Sequence, residues 1–195
     1  AGIVSIATSA DALIKPGTVG RPLDGTIVRI YDDDGKVLPD GESGEIYMNM
    51  NDLSDFTYHN KDDKRVEIER EGLVTNGDVG YLDPDGYLFL NDRKRDMIIS
   101  GGVNIYPAEI EAALQGMPGV QDCAVFGIPH DEFGESIAAA IESQPGVSLT
   151  PDAVKDYLRD HISAYKVPRE VTFHDAMPRE DTGKIFKRKL RQPYW

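Results

Sequence analysis

One lysine near the C-terminus stands on a short loop whose residues suit delivery of a single positive charge to an anion. Thr182, Gly183 and Lys184 form this loop, and the glycine supplies a flexible hinge. A phosphate-cradling loop needs the pattern G-x-x-x-x-G-K-[ST], because several backbone N–H groups must surround the phosphates. Pro178 stands where the first glycine would be, and Ile185 stands where Ser or Thr would be. The segment therefore predicts a lysine carrier and argues against a phosphate cradle.

The lysine loop continues into a basic run for which two interpretations remain open. Five basic side chains fall within eight positions: Lys184, Lys187, Arg188, Lys189 and Arg191. They form either a solvated helix face or a docking patch for a polyanion such as a nucleotide phosphate. We also predict that Lys184 begins a short terminal helix. A lone lysine on such a loop is more often simply solvated, so the chemical interpretation of Lys184 depends on the other motifs.

Two further segments strengthen the chemical interpretation of Lys184. Residues 75–81 read TNGDVGY, and residues 92–111 read DRKRDMIISGGVNIYPAEIE. With the lysine loop, they resemble in order the nucleotide, hinge and catalytic-lysine motifs of adenylate-forming enzymes, which include acyl-CoA synthetases, peptide-synthetase adenylation domains and luciferases. The resemblance extends over essentially all 195 residues. It implies the C-terminal portion of an ATP-dependent acyl-CoA synthetase, which activates a fatty or aryl carboxylic acid as acyl-AMP and transfers it to CoA.

The resemblance implies catalytic and nucleotide-binding roles for three residues. Lys184 matches the catalytic lysine that bridges the substrate carboxylate and the α-phosphate of ATP. Asp78 matches the aspartate that accepts hydrogen bonds from both ribose hydroxyls, for which a carboxylate has two acceptor oxygens. Arg93 matches the arginine that contacts the ribose and phosphate side of the nucleotide. The structural alternatives are a turn aspartate for Asp78, and a surface ion pair with a neighbouring aspartate (92 or 96) for Arg93.

Other matched positions belong to the hinge and to the thioester-forming step. Arg95 falls at the hinge position, where the family usually has Asp or Lys. Ser100, Gly101 and Gly102 match the loop along which the pantetheine arm of CoA passes, and glycine permits close backbone approach there. Their structural alternative is an ordinary hairpin turn. Asn76 departs from the family pattern just before the Gly-Asp pair of the nucleotide motif.

The same resemblance implies the ligands and partners of the chain. They are ATP, Mg²⁺, coenzyme A and a small-molecule carboxylic acid. Magnesium follows from ATP chemistry alone, since the sequence shows no metal-ligand spacing. The resemblance also implies a missing N-terminal part of the same enzyme, which would carry the phosphate loop and most of the acyl pocket. The isolated chain is therefore expected to be inactive.

Two alternative functions are compatible with these motifs. A peptide-synthetase adenylation lid would load the phosphopantetheine of a carrier protein instead of CoA. Residues 125–135, which read VFGIPHDEFGE, and the basic run look more like stand-alone acyl-CoA synthetases. A non-catalytic nucleotide-binding or partner-binding module would not need Lys184 or Asp78, yet both are present.

Composition excludes several other classes of protein. A net charge of −13 argues against nucleic-acid binding, which needs a basic surface. No apolar stretch reaches the length of a transmembrane segment. The only cysteine, Cys123, rules out an internal disulfide and lies in an apolar run that predicts a buried thiol. This cysteine usage is compatible with a reducing compartment, and we expect a cytoplasmic location.

Hydrophobic periodicity predicts two different architectures along the chain. The pattern of residues 1–92 indicates a β-rich, barrel-like subdomain, which the resemblance to adenylate-forming enzymes implies is the end of a large AMP-binding domain. Strands are expected at 26–31, 44–48, 80–82 and 87–90, with turns at 32–35 and 83–86. Residues 51–72 are highly charged and predict surface helix and loop.

Residues 93–195 indicate a small α+β domain with a short sheet and packed helices, which the same resemblance implies is the lid domain. Pro107 opens a predicted helix that ends near Gln115. A second helix is expected to begin at Pro151, with Thr150 as its cap. Strands are predicted at 120–127, 136–142 and 169–173.

Overall fold

The computed structural model describes residues 4–50 and 62–195. The chain divides into two compact units, Ala1–Arg95 and Asp96–Trp195. The division falls within the charged segment 92–96, where the sequence changes from strand patterns to mixed patterns. The identities predicted for the two parts, an AMP-binding β-subdomain and a lid domain, remain predictions at this point.

The described part of the first unit is built on one antiparallel sheet of eight strands. The strands are β1 (Ser5–Ile6), β2 (Thr18–Pro22), β3 (Thr26–Tyr31), β4 (Gly44–Met50), β5 (Glu69–Arg70), β6 (Leu73–Val74), β7 (Asp78–Leu82) and β8 (Leu88–Arg93), with helices α1 (Ser9–Ile14) and α2 (Asp62–Glu67). The strand order is β1-β2-β8-β7-β4-β6-β5. Strand β3 lies off this path and pairs antiparallel with β4. The sheet is an open, curled half-barrel, so the predicted β-rich character is confirmed.

Local sequence explains most of these elements. The predicted turn at 83–86 forms, because the Asp83 carboxylate accepts the backbone N–H groups of Asp85 and Tyr87 at 3.0 and 2.9 Å. Helix α1 was not predicted, although its sequence contains a capping box. The Thr8 hydroxyl accepts the Asp11 backbone N–H, and the Asp11 carboxylate accepts the Thr8 backbone N–H. Of the predicted surface segment 51–72, residues 51–61 lie outside the described residues, and the remainder contains α2 and β5.

The second unit packs three helices against a five-stranded sheet. The strands are β9 (Ile98–Ser100), β10 (Val103–Ile105), β11 (Val120–His130), β12 (Gly134–Ser143) and β13 (Glu170–His174), and the helices are α3 (Pro107–Gln115), α4 (Pro151–His161) and α5 (Lys187–Arg191). The order is β10-β9-β12-β11, and β13 runs parallel to β12. The predicted Thr150 cap is confirmed, since its hydroxyl accepts the Ala153 N–H at 3.2 Å.

Strands β11 and β12 are apolar along most of their length because both faces of this sheet are covered. On one face, Val125 and Ile141 pack with Leu158 of α4. On the other face, small residues such as Ala124 and Ala140 pack against Leu190 of α5. Small side chains let the C-terminal segment approach the sheet closely. This packing fixes the base of the loop that carries Lys184.

The prediction that Lys184 begins the terminal helix is wrong. Helix α5 starts at Lys187, and Lys184 belongs to the preceding turn. Its carbonyl accepts the N–H of Glu180 at 2.8 Å, and Gly183 has a φ of +85°. A left-handed residue directly before Lys184 cannot continue a helix.

Cys123 illustrates how the fold controls a potentially reactive group. The thiol is buried in the core beside α3, and burial raises its pKa to about 12. Only about one ten-thousandth of such a thiol is ionised at pH 8, and the thiolate is the reactive form. We expect iodoacetamide at pH 8 to alkylate Cys123 slowly in native protein and rapidly in denaturant, as measured by mass spectrometry. Equal rates in the two conditions would contradict the buried placement.

Candidate functional site

Asp78 and Arg93 face each other across two adjacent strands of the first unit. Asp78 is the first residue of β7, Arg93 is the last of β8, and the two are cross-strand partners. The Arg93 Nε atom lies 3.5 Å from the Asp78 Oδ1 atom, and the two side chains are 47% and 23% exposed. Sequence offered Asp92 or Asp96 as surface partners for Arg93. The structure pairs Arg93 with Asp78, the other predicted nucleotide-binding residue.

Thr75, Gly77 and Gly80 determine the backbone conformation around Asp78. The buried Thr75 hydroxyl accepts the Gly77 N–H at 2.9 Å, and Gly77 takes a φ of +79°. The Gly77 carbonyl then accepts the Lys94 N–H at 2.8 Å. A Cβ atom at Gly80 would lie 2.0 Å from the Phe89 carbonyl oxygen, so glycine is required there. The motif thus fixes the backbone that presents Asp78.

An open cleft of about 370 Å³ lies beside this pair. Glu45, Asn76, Gly77, Arg93, Lys94 and Arg95 line it. Lys94 is already engaged, because its ammonium lies 2.9 Å from Asp33 and 3.0 Å from Glu45. The hydrogen bond with Asp33, followed by that with Glu45, raises the pKa of Lys94. Arg93 also lines the cleft, and its side chain is 47% exposed, so its guanidinium can meet an anionic ligand there.

Arg95, the predicted hinge residue, occupies the middle of a single 3₁₀ turn, Lys94–Asp96. It is also the last residue of the first unit. Such a turn contains few backbone hydrogen bonds, so a small number of dihedral angles connects two compact bodies. This position suits a pivot.

In the second unit, Lys184 lies on a closed turn that we call the lysine turn, residues 178–186. The Phe186 N–H donates to the Pro178 carbonyl at 2.7 Å, and the Gly183 N–H donates to the Glu180 carbonyl at 2.8 Å. Arg179 and Ile185 form an isolated antiparallel bridge. The sequence predicted a glycine-hinged, mobile loop. The observed turn is closed by its own backbone bonds, although Gly183 does take a positive φ.

Two carboxylates tie the lysine turn to the sheet. Arg179 donates to Asp122 of β11 at 2.5 Å and to the Gly183 carbonyl at 3.0 Å. The buried Glu142 of β12 accepts the Met177 N–H at 2.8 Å, just before the turn begins. Arg179 therefore links the backbone beside Lys184 directly to β11.

The Lys184 side chain is exposed, and among the described residues of its unit it makes no ion pair. Other members of the basic run are engaged. The Lys187 ammonium lies 2.8 Å from Glu111 of α3, and an Arg191 guanidinium nitrogen lies 3.6 Å from Glu135 of β12. The run is thus partly a set of structural ties and not wholly a free polyanion patch. Lys184 is presented at the tip of a fixed turn, available to a ligand.

Ser100, Gly101 and Gly102 lie in a hairpin, as their structural alternative supposed. Strands β9 and β10 pair through Ser100 and Val103, and we call this element, residues 98–105, the glycine hairpin. Gly101 and Gly102 have φ values of +57° and +80°, which a two-residue turn of this kind requires. The Gly101 N–H donates to the Phe133 carbonyl at 2.9 Å. A hairpin turn and a path for a pantetheine arm are compatible uses of these glycines.

The described residues contain no cluster of three or more His, Cys, Asp or Glu side chains that could hold a metal ion. Among the histidines, His130 accepts two backbone N–H groups near its own turn and contacts Arg169. His59 lies outside the described residues. None of the described helices combines the length and apolar content needed to cross a bilayer.

Sequence patterns missed the residues that hold these loops in place. Asp122, Glu142 and Glu135 lie far along the chain from the segments that they bind. Only one signal was available: a charged residue at each position precedes, interrupts or ends an otherwise apolar strand pattern. A partly buried carboxylate needs a donor, but the pattern does not say which donor.

Comparison with known proteins gives an independent result. Residues 109–184 match the family model described as the AMP-binding enzyme C-terminal domain. The chain is 41% identical over 186 residues to the long-chain-fatty-acid–CoA ligase FadD13 of Mycobacterium tuberculosis, covering 95% of this chain and 36% of the relative. It is 36% identical over 176 residues to the fatty acid–[acyl-carrier-protein] ligase ScoC of Streptomyces coeruleorubidus, covering 90% of this chain and 34% of that one.

A solved structure shares the fold over nearly the whole chain. This is the o-succinylbenzoate CoA synthetase MenE from Bacillus subtilis, in complex with the acyl-adenylate intermediate OSB-AMP. The TM-score is 0.89 at 29% identity, covering 97% of this chain and 38% of that one. The chain thus spans little more than a third of the length of these relatives.

Proposed function

Because the chain belongs to the adenylate-forming superfamily and corresponds to its C-terminal portion, we propose that it completes the active site of an ATP-dependent acyl-CoA synthetase. The first 92 residues would be the end of the AMP-binding domain, and residues 93–195 would be its lid. The observation that carries the proposal is the exposed Lys184 at the tip of a turn fixed to the sheet. A preorganised cation on a separate unit is what the first chemical step needs.

The first half-reaction brings two anions together. A carboxylate oxygen attacks the α-phosphorus of ATP, the bond to the β-phosphate oxygen breaks, and pyrophosphate leaves. Negative charge develops on the α-phosphoryl oxygens, and a positioned cation lowers this barrier. We assign that cation to Lys184, which would bridge the carboxylate and the α-phosphate. The Asp122–Arg179 tie would limit how far the turn can move from this position.

The nucleotide would be held by the first unit. The Asp78 carboxylate offers acceptor oxygens for both ribose hydroxyls, and its partner Arg93 lines the open cleft. Arg93, the partner of Asp78, would reach the ribose and phosphate side. The described residues provide no three-ligand metal set, so no step is assigned to Mg²⁺. Magnesium is proposed only as an ion carried in on the phosphates of ATP.

The second half-reaction forms the thioester. The CoA sulfur, having lost its proton, attacks the acyl carbonyl carbon, and AMP leaves as the acyl–phosphate bond breaks. Both steps involve the same carboxyl group, but the first forms a bond at its oxygen and the second forms a bond at its carbon, so each step needs different neighbouring groups. We propose that the lid pivots at Arg95, so that the glycine hairpin replaces the lysine turn at the site. Ser100, Gly101 and Gly102 would then border the pantetheine arm.

A carrier protein is a second candidate acceptor for the acyl group, because one relative is described as a carrier-protein ligase. ScoC is described as a fatty acid–[acyl-carrier-protein] ligase, and a pantetheine arm is common to CoA and to a loaded carrier protein. The glycine hairpin would serve either acceptor. Parallel assays with CoA and with phosphopantetheinylated carrier protein separate the two. Faster transfer to CoA supports the main proposal, and transfer only to the carrier protein overturns it.

The isolated chain is expected to show no acid-dependent ATP–pyrophosphate exchange, because the phosphate loop and most of the acyl pocket would lie in the missing part. The longer parent protein should exchange pyrophosphate with at least one carboxylic acid. Circular dichroism of the isolated chain provides the folding control. Exchange by the isolated 195 residues would refute the proposed division of labour.

A further inference from the structure

We propose that Glu135 is a positioning residue for the thioester-forming half-reaction. Its carboxylate holds the glycine hairpin against the main sheet of the second unit. This inference rests on the proposed function, because it concerns the hairpin that would border the pantetheine arm. It adds a residue that does not itself touch substrate.

The base of the glycine hairpin is packed into the core through Ile98 and Ile105, but its tip has few other hydrogen bonds to the sheet. Strand β9 has only three residues, and its pairing with β12 consists of the single partnership between Ser100 and Gly134. One further backbone bond joins Gly101 to the Phe133 carbonyl at 2.9 Å. The Glu135 Oε2 atom then accepts the Ile99 N–H at 2.9 Å. A carboxylate thus supplies a connection where the strand ladder has ended.

The hydrogen bond from the Ile99 N–H to the Glu135 carboxylate is charge-assisted, which makes it stronger than a neutral hydrogen bond. A backbone N–H that donates to an ionised carboxylate makes a shorter and stronger hydrogen bond than one that donates to a neutral oxygen. The Glu135 side chain is only 19% exposed, so water competes weakly for the carboxylate. The opposite charge is supplied by Arg191 of α5, whose guanidinium nitrogen lies 3.6 Å from Oε1.

The neighbouring strand is shaped to receive this carboxylate. A Cβ atom at Gly127 of β11 would lie 2.7 Å from the Glu135 Oε1 atom, so any other residue would displace the carboxylate. The Trp195 indole N–H donates to the Gly127 carbonyl at 3.4 Å, and Arg191 stacks over the Trp195 ring. Glu135 therefore sits in a slot formed by a glycine on one side and by the C-terminal segment on the other.

The turn of the glycine hairpin, which Glu135 supports, has a flexible backbone of its own. Gly101 and Gly102 each have many accessible backbone conformations, so a hairpin held by fewer bonds would sample several positions. A displacement of about 1 Å in a positioning element costs roughly 100-fold in rate. Loss of the Glu135 bond should therefore slow thioester formation, whereas adenylation depends on other residues and should be spared.

The test uses the full-length protein that contains this chain, with three variants. Glu135→Ala removes the acceptor, whereas Glu135→Gln keeps an oxygen that can accept the Ile99 N–H. Glu132→Ala is the matched control, because Glu132 is exposed in the same β11–β12 turn and its side chain has no described partner. Thermal unfolding verifies that each variant folds.

Two half-reactions are measured separately for each variant. Acid-dependent ATP–pyrophosphate exchange reports the first, and single-turnover conversion of supplied acyl-adenylate with CoA reports the second. We expect Glu135→Ala to slow the second about 10- to 100-fold and to leave the first within about twofold. Glu135→Gln should retain most of the thioester rate, and Glu132→Ala should match the unmodified protein.

Three results would overturn the proposal. An unchanged thioester rate in Glu135→Ala excludes a positioning role. Equal losses in both half-reactions indicate a general structural role instead. A loss in Glu135→Gln as large as in Glu135→Ala shows that the bond to Ile99 is not the cause. If the unmodified protein forms no thioester at all, the proposed function itself fails, which is a separate and recognisable outcome.

Discussion

Replacing Lys184 with alanine in the full-length protein is expected to lower acid-dependent ATP–pyrophosphate exchange by about 10²- to 10³-fold. Removing one preorganised group that stabilises transition-state charge has an effect of this size in other enzymes. The effect should fall mainly on kcat, because the charge that Lys184 would meet grows only as the acid attacks the α-phosphorus. Pyrophosphate exchange measured over a range of ATP and acid concentrations provides both constants.

The same variant should still convert supplied acyl-adenylate and CoA into thioester at close to the unmodified rate. The lysine turn is closed by backbone bonds and by Arg179, so removal of the exposed Lys184 side chain leaves the fold intact. Arg188→Ala is the matched control, because it removes a cation of equal charge from an exposed position nearby. Loss of both half-reactions, or an equal loss in the Arg188 variant, would contradict the role assigned to Lys184.

Replacing Asp78 with alanine is expected to raise the KM for ATP by at least about 100-fold. A hydrogen bond to a charged group contributes about 1.5–3 kcal/mol. In the alanine variant, both ribose hydroxyls of ATP would lose such a bond. Asp78→Asn should have a smaller effect, since the amide keeps one acceptor oxygen. Initial rates of AMP formation against ATP concentration provide the measurement, with Asp24→Asn at an exposed turn as the control.

A stability defect would not account for the Asp78 result. The Asp78–Arg93 pair is separated by 3.5 Å and partly solvated, and such pairs contribute at most about 1 kcal/mol. The free energy of unfolding of the Asp78→Ala variant should therefore change little. An unchanged KM for ATP together with normal stability would show that Asp78 has only a structural role at the start of β7. That outcome would favour the structural alternative that the sequence left open.

Much of the fold was readable from local patterns because its determinants are local. The β3 strand alternates side chains over 26–31, Pro107 and Thr150 mark helix starts, and the Asp83 turn contains its own hydrogen-bond acceptor. In each case the residues that dictate the structure lie within a few positions of it. The general β-rich and α+β character follows from these elements.

The start of the last helix and the supports of the candidate site were not readable for the opposite reason. The basic run after Lys184 has helical composition, but backbone bonds from Pro178 and Glu180 delay the helix until Lys187. Arg179 donates a hydrogen bond to Asp122, which lies 57 residues earlier in the chain. Contacts of this kind depend on how strands and loops pack, and no local pattern encodes the partner.

The most direct test of the account is thioester formation by the full-length protein, with ATP, CoA and a panel of fatty and aryl acids. Thioester and AMP are quantified together by chromatography. We expect at least one acid to yield acyl-CoA and AMP in equal amounts, and we expect omission of CoA to stop turnover after the adenylate. Absence of acyl-CoA with every acid, while a phosphopantetheinylated carrier protein accepts the acyl group or ATP binds without turnover, would contradict it.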